Sequence, residues 1–301
     1  MPSFVTGPTP VDSAPRLAVA LGLGPDQLFV KRDDLIGLGG GGNKVRKLEV
    51  TMAEALAAGA HTVVTTGAAQ SNHARLTAAA AARLGLRAVL VLEGERPGAP
   101  TGNLLLEDVL DAEIVFAGAR GADQVAATIA ERHGVHRIPF GGTSPASAEA
   151  YRVAGHELIE QVPDVGTVVV ALGSGGTMAG LVAALGPERV LGAHTGAVRE
   201  PRRVVADLLR DMGAAGGDRL RIDEDQVGAA YPSPGPGVRD ALLLMARTEG
   251  IILDPIYTAR AMAALIAAAR RSTFGAAPVV FLHTGGLPGL FGRPDLVSSA
   301  V

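Results

Sequence analysis

The chain has 301 residues, close to half of them apolar, and a formal net charge of -3. That is length enough for one large or two modest cored domains, and the mildly acidic balance gives nucleic acid or an anionic membrane no electrostatic purchase. Cysteine is absent, which excludes a disulfide framework, thiolate chemistry and a cysteine-ligated metal; no metal site is expected.

The chain begins MPSFVTGPTPVDSAP, with no basic start followed by an apolar run. No signal peptide is expected there, no later stretch approaches the roughly 18 apolar residues of a membrane span, and the expectation is a soluble, cytoplasmic protein. The first distinctive segment is KRDDLIGLGGGGNKVRKLE at 31–49. It holds Lys31, Lys44 and Lys47, the three lysines among 27 basic residues. In a chain so biased to arginine, a retained lysine points to chemistry that arginine lacks, since an amine can deprotonate and attack a carbonyl; chance retention is the alternative, above all for Lys31 and Lys47. Four glycines before Asn43 and Lys44 let the backbone approach a flat ligand closely. The same stretch also reads as a turn capping a helix, with its basic side chains in solvent. It is not a phosphate-binding P-loop, because Val45 follows Lys44 where Ser or Thr is required.

Short Val- and Ile-rich runs then alternate with Ala-rich amphipathic stretches. Strands are predicted at 61–67, 87–93, 113–118, 167–173 and 278–284. Helices are predicted at 72–84, 101–111, 122–132, 147–161, 176–185 and 258–271. Strands apolar on both faces and alternating with helices predict an α/β protein with open, twisted parallel sheets flanked by helices. Loops fall at 93–101, 139–147, 213–218 and 228–237, the last a proline-dense stretch around Tyr231.

Three strand-to-helix junctions carry small polar residues. At TTGAAQSNHARL (65–76) a strand ends at Gly67, and Ser71 or Asn72 can cap the helix that follows. Gln70, Ser71, Asn72 and His73 would lie together at a strand's carboxyl end, where parallel sheets bind ligands; His73 by itself reads as structural. At VVVALGSGGTMAGL (168–181), Gly173, Ser174, Gly175, Gly176 and Thr177 precede a helix. Backbone N–H groups and the helix dipole make such a turn an anion cradle suited to phosphate; a plain tight turn is the simpler alternative. A dinucleotide fingerprint is not met, since the glycines read GxGG and His194 and Thr195 stand where an acidic residue is needed. The stretches at 246–261 and 279–292 say little individually.

In this order GGNKxRKLE, QSNHAR, GSGGT, LDPxYT and HTGGLPGLF, spread from Pro8 to Gly292, resemble the D-cysteine desulfhydrase and 1-aminocyclopropane-1-carboxylate deaminase family. These are fold-type-II pyridoxal-phosphate enzymes, similar to tryptophan synthase β. The resemblance implies pyridoxal 5'-phosphate as cofactor, a homodimer, and a large domain of residues 1–48 and 151–301 into which a small domain of residues 49–150 is inserted. It implies Lys44 as the lysine that joins the cofactor's aldehyde and moves the Cα proton. Asn72 matches the residue that hydrogen-bonds the cofactor's phenolic oxygen, and Ser71 the one that contacts the substrate carboxylate or assists proton transfer. Gly173–Thr177 match the phosphate loop, Tyr231 and Tyr257 two tyrosines near the substrate, and Thr284 the residue facing the pyridine nitrogen. Thr258 and the run His283-Thr284-Gly285-Gly286 match the desulfhydrase branch, where the deaminases carry a glutamate at the place of Thr258. The loop Gly228-Ala229-Ala230-Tyr231-Pro232-Ser233-Pro234 departs from the family's GPGYGxPT. The activity implied is α,β-elimination on a small amino acid, foremost D-cysteine to pyruvate, ammonia and hydrogen sulfide. L-cysteate, D-serine or the cyclopropane substrate are alternatives, as is a specialised biosynthetic step. Outside this class stand a non-catalytic cofactor or amino-acid binding protein and, further off, a nucleotide-binding enzyme.

Overall fold

The computed structural model describes residues 2–228 and 237–293. Along the chain, β1 (Val11–Ser13), α1 (Pro15–Ala20) and β2 (Leu28–Arg32) lead through two short 3-10 turns to α2 (Lys44–Ala57). There follow β3 (Thr62–Gly67), α3 (Asn72–Leu84), β4 (Arg87–Leu92), α4 (Gly102–Val109), β5 (Glu113–Phe116), α5 (Ala122–Ala130) and β6 (Val135–Arg137). The chain continues as α6 (Pro145–Gln161), β7 (Thr167–Leu172), α7 (Gly176–Leu185), β8 (Val190–His194), α8 (Pro201–Asp211) and β9 (Arg221–Asp223). Last come α9 (Val238–Glu249), α10 (Thr258–Arg270), β10 (Val279–His283) and α11 (Leu287–Phe291).

The strands form a six-stranded sheet in the order β1-β2-β10-β7-β8-β9 and a four-stranded sheet in the order β5-β4-β3-β6. Every pairing is parallel except β1 with β2, which is antiparallel. Parallel sheets bury both faces, and the strand sequences comply by sending alternate side chains to opposite cores. In β7, Val169 and Ala171 enter the core shared with α9 and α10, while Val168, Val170 and Leu172 enter the core shared with α6, α7 and α8. In β3, Val63 faces α2 and α3, and Val64 faces α5. Helix α3 carries a run of alanines that are almost all buried, so it lies close against its sheet. Helices α6 and α7 pack tighter still: a Cβ at Gly180 would overlap the Ala148 carbonyl oxygen and stand 2.5 Å from Tyr151 Cβ.

The five predicted strands correspond to β3, β4, β5, β7 and β10, and the α/β class with parallel sheets and flanking helices is as expected. Strands β1, β2, β6, β8 and β9 were not expected. Three of these span three residues each, too few for periodicity to register. β2 contains Lys31 and Arg32, whose charges mask a strand that tertiary ion pairs later satisfy. The loop predicted at 139–147 contains a 3-10 turn at Phe140–Gly142 and the first turn of α6, which starts at Pro145 rather than 147. The predicted 228–237 loop and Tyr231 fall almost wholly outside the described residues. Among those residues, no helix is long and apolar enough to cross a membrane.

Candidate active site

The carboxyl ends of β3, β7 and β10 run into α3, α7 and α11 and converge on one cleft. Lys44, the first residue of α2, projects into it from the glycine-rich turn. The turn is locked in place: Asn43 N–H donates to the Thr284 carbonyl at 3.0 Å, and Asn43 Nδ2 donates to Thr177 Oγ1 at 3.0 Å. Residues after three different strands are thereby tied together beside Lys44. At Gly41, φ is 82° and an added Cβ would strike the Asp34 carbonyl oxygen, so only glycine fits.

Lys44 Nζ lies 3.4 Å from the Gly141 carbonyl and 3.5 Å from Ser174 Oγ. Burial pushes its ammonium down to about 8. One helical turn on, Lys47 Nζ donates to the Gly141 carbonyl at 2.6 Å and to Thr143 Oγ1 at 2.7 Å. Burial, with the neighbouring Lys44 charge, drives Lys47 well below the ordinary lysine value. Among the described residues neither amine has a carboxylate partner and no Asp or Glu lines the cleft.

His73 also borders the cleft. Thr65 Oγ1 spends its one proton on the Ile138 carbonyl at 3.0 Å, so the 2.8 Å contact with His73 requires Nε2 to be the donor. Its Nδ1 is then a buried acceptor without a partner, and burial beside two amines holds the ring well below its usual pKa. Ser71 caps α3, accepting from Ala74 N–H at 3.1 Å, and also lines the cleft. The Tyr257 ring lies over Gly173, where an added Cβ would meet ring Cε1 at 3.2 Å. Asp254 fixes that tyrosine by accepting from the Ile256, Tyr257 and Thr258 backbone N–H groups, each at 2.9 Å.

The cleft thus gathers Lys44, Ser71, Asn72, Gly173, Ser174, Gly175, Thr177, Tyr257 and Thr284; Gly176 begins α7 directly behind the turn. Thr258 does not line it. Its hydroxyl donates to Asp254 Oδ1 at 2.7 Å and accepts from Asp254 N–H at 2.8 Å, so it serves the α10 cap. Sequence reasoning flagged Lys47 as one of three lysines but gave it no place in the site, and it passed over Gly141 and Thr143. The signal for Lys47 was present, one of three lysines and three residues from Lys44 on the same helix face. Gly141 and Thr143 arrive through contacts almost a hundred residues away in sequence and leave no local trace.

A phosphate ester suits this donor set. The 173–177 turn with the N-terminus of α7 offers backbone N–H groups, Ser174 and Thr177 bring hydroxyls, and the Lys44 amine lines the cleft with Lys47 buried behind it at Gly141 and Thr143.

Known proteins resemble this chain in sequence and in fold. Residues 3–285 match the family model described as pyridoxal-phosphate dependent enzyme. The D-cysteine desulfhydrase of Klebsiella pneumoniae (strain 342) is 37% identical, across 96% of this chain and 94% of that one. A crystal structure of an ACC deaminase homologue superposes with a TM-score of 0.88 at 33% identity, covering 97% of this chain and 94% of that one. Threonine deaminase isoform 2 from Solanum lycopersicum shares the fold, with a TM-score of 0.68 at 19% identity over 96% of this chain and 82% of that one. A fold-type-II architecture with a lysine-bearing cleft at its strand ends defines the class. The chain belongs to the pyridoxal-phosphate dependent enzyme family.

Proposed function

We propose that the chain catalyses α,β-elimination on a small amino acid, with D-cysteine, converted with water to pyruvate, ammonia and hydrogen sulfide, as its substrate. The observation that carries this is a half-buried lysine amine, lowered to about 8, beside a glycine-rich turn in a cleft lined by no carboxylate among the described residues. When bound, the cofactor supplies an aldehyde that captures amino groups and a ring that accepts electron density from Cα.

The residues divide the remaining work. Lys44 Nζ holds the aldehyde and takes the Cα proton; a lowered pKa keeps a useful share of amine unprotonated near neutral pH. Lys47, Thr143 and Gly173–Thr177 hold the phosphate, and Asn72 the phenolic oxygen. Ser71 and the N–H groups opening α3 receive the substrate carboxylate. Tyr257 stands on the leaving-group side, with Tyr231 proposed beside it from the resemblance. Thr284 gives the pyridine nitrogen a neutral hydrogen bond instead of a carboxylate. With no acid to keep that nitrogen protonated, electron withdrawal is weaker, which suits expulsion of a good leaving group such as hydrosulfide and disfavours opening of a strained carbon ring. The D-cysteine desulfhydrase of K. pneumoniae, similar over nearly the full chain, supports the same substrate. We extend the proposal to a homodimer acting in the cytoplasm, with the large and small domains divided as the resemblance implies; light scattering of the purified protein checks the dimer.

The test pairs a variant with a substrate panel. Lys44→Ala is expected to lose the visible band of the loaded protein and nearly all turnover. Pyruvate assays on D-cysteine, L-cysteate, D-serine and the cyclopropane amino acid are expected to favour D-cysteine. Normal turnover by Lys44→Ala, or a preference for another substrate on the panel, sinks the corresponding part.

A further inference from the structure

Behind the cleft, three polar side chains from α3 and α4 form a chain of hydrogen bonds whose direction is dictated at one end. Arg75 is fully buried. Its guanidinium donates to the Gly39 carbonyl, to the Gly41 carbonyl at 3.1 Å, and through Nε to Asn103 Oδ1 at 2.6 Å. Asn103, also fully buried, then donates from Nδ2 to the Gln70 carbonyl at 3.1 Å and to Asn72 Oδ1 at 3.0 Å. Gln70 closes the group from the side: its Oε1 accepts from Asn103 N–H at 2.9 Å and its Nε2 donates to the Thr101 carbonyl at 2.9 Å.

A guanidinium donates and never accepts. Asn103 must therefore turn its oxygen to Arg75 and its NH2 to Asn72. Since an NH2 group also only donates, Asn72 must answer with its oxygen. The one side-chain group of Asn72 left for the cleft it lines is its own NH2. An asparagine by itself has no such preference, because its amide can flip and offer either end. Burial lowers the Arg75 guanidinium only to about 10, so it is cationic and donor-only at neutral pH.

We propose that Arg75 and Asn103 are positioning residues that fix the amide polarity of Asn72, so that an N–H donor and not a carbonyl acceptor meets the cofactor's phenolic oxygen. The assignment rests on pyridoxal phosphate occupying the cleft as proposed above. Its consequence is electronic. A donor held against the phenolic oxygen stabilises the oxygen's negative charge and lowers its affinity for protons. An acceptor held there repels it.

Asn103→Asp isolates this polarity. The new carboxylate still accepts from Arg75 Nε, but where Asn103 had an NH2 it offers a second acceptor. Asn72 must then flip its NH2 inward and turn its oxygen to the cleft. Asn103→Ala, which buries no new charge, releases Asn72 without inverting it. The readouts are the pH midpoint of the visible band of the pyridoxal-phosphate-loaded protein, titrated from about pH 6 to about pH 10, and the dissociation constant for pyridoxal phosphate added to cofactor-stripped protein. Asn103→Asp is expected to raise the midpoint by about one unit and weaken binding about tenfold, with Asn103→Ala shifting both less. In an Asn72→Ala background, Asn103→Asp is expected to add no further shift. A wild-type midpoint in both folded Asn103 variants, or an undiminished shift without the Asn72 side chain, overturns the relay. A wild-type protein that takes up no pyridoxal phosphate overturns the cofactor assignment itself, and the relay with it.

Discussion

Of the three lysines that stand out in the sequence, Lys44 faces the cleft, Lys47 is buried beside it and Lys31 lies elsewhere, and the difference lies in their partners. Lys31 is ion-paired to Glu157 and donates to the Thr9 carbonyl at 2.7 Å and Gln161 Oε1 at 2.6 Å; Lys44 and Lys47 have no acid beside them among the described residues. Arginine-biased composition flagged all three, but no local feature of the sequence says which lysine sits opposite a glutamate 126 residues away. Glu107 is the reverse case, an acid buried with both oxygens lacking a hydrogen-bond partner. Burial raises its carboxyl from 4.5 to about 8, with Asp108 adding to the rise and Arg75 opposing it. Between those values the folded protein holds a proton that the unfolded chain has released, so Glu107 costs stability as pH rises through that window. Glu107→Gln removes the titration. Urea unfolding at pH 6, 7 and 8 is expected to show the variant gaining on the wild type by about 1 kcal/mol per pH unit; parallel curves would contradict it.

At the scale of elements, the long central strands and the helices after them were legible because alternate residues enter two cores and the strand ends carry small polar residues. The glycine-rich turn before α2 was legible as unusual but not as to its shape. In the structure it brings Gly39 and Gly41 carbonyls to Arg75 and the Asn43 amide to Thr284, all contacts made across the fold. Gly41→Ala tests how far that shape is required. Its φ of 82° and the overlap with Asp34 are expected to cost about 1–3 kcal/mol. They should also lower cofactor loading, since the same turn positions Lys44. Unfolding midpoints together with the visible band per mole of protein measure both, and a variant with wild-type values would show that the turn tolerates a side chain.

For the whole molecule, one buried polar network joins the parts that frame the cleft. Arg46 of α2 pairs with Asp33 after β2 and with Glu157 of α6, each at 3.0 Å. Tyr151 of α6 donates to Asp33 and to the Asn43 carbonyl, and Lys31 of β2 completes the set at Glu157. Lys31→Met takes one donor each from the Thr9 carbonyl, Gln161 Oε1 and Glu157, while Gln161 Nε2 and Arg46 keep the first and last partnered; the expected loss is about 2 kcal/mol, read from urea unfolding, and a loss below about 1 kcal/mol would class the pair with exposed ion pairs. Sequence alone determined the α/β class, the central strands, the lysine at the glycine turn and the glycine-rich turn at 173–177 that opens α7, because periodicity, glycine spacing and strand-end polarity are written within a dozen consecutive residues. Only the tertiary structure decided that Lys47 stands beside Lys44, that Thr258 serves a helix cap, and that Arg75 reaches Asn72 through Asn103. Each of those depends on which donor meets which acceptor, and the chain settles that only once distant segments are buried together and every polar group must find a partner away from water.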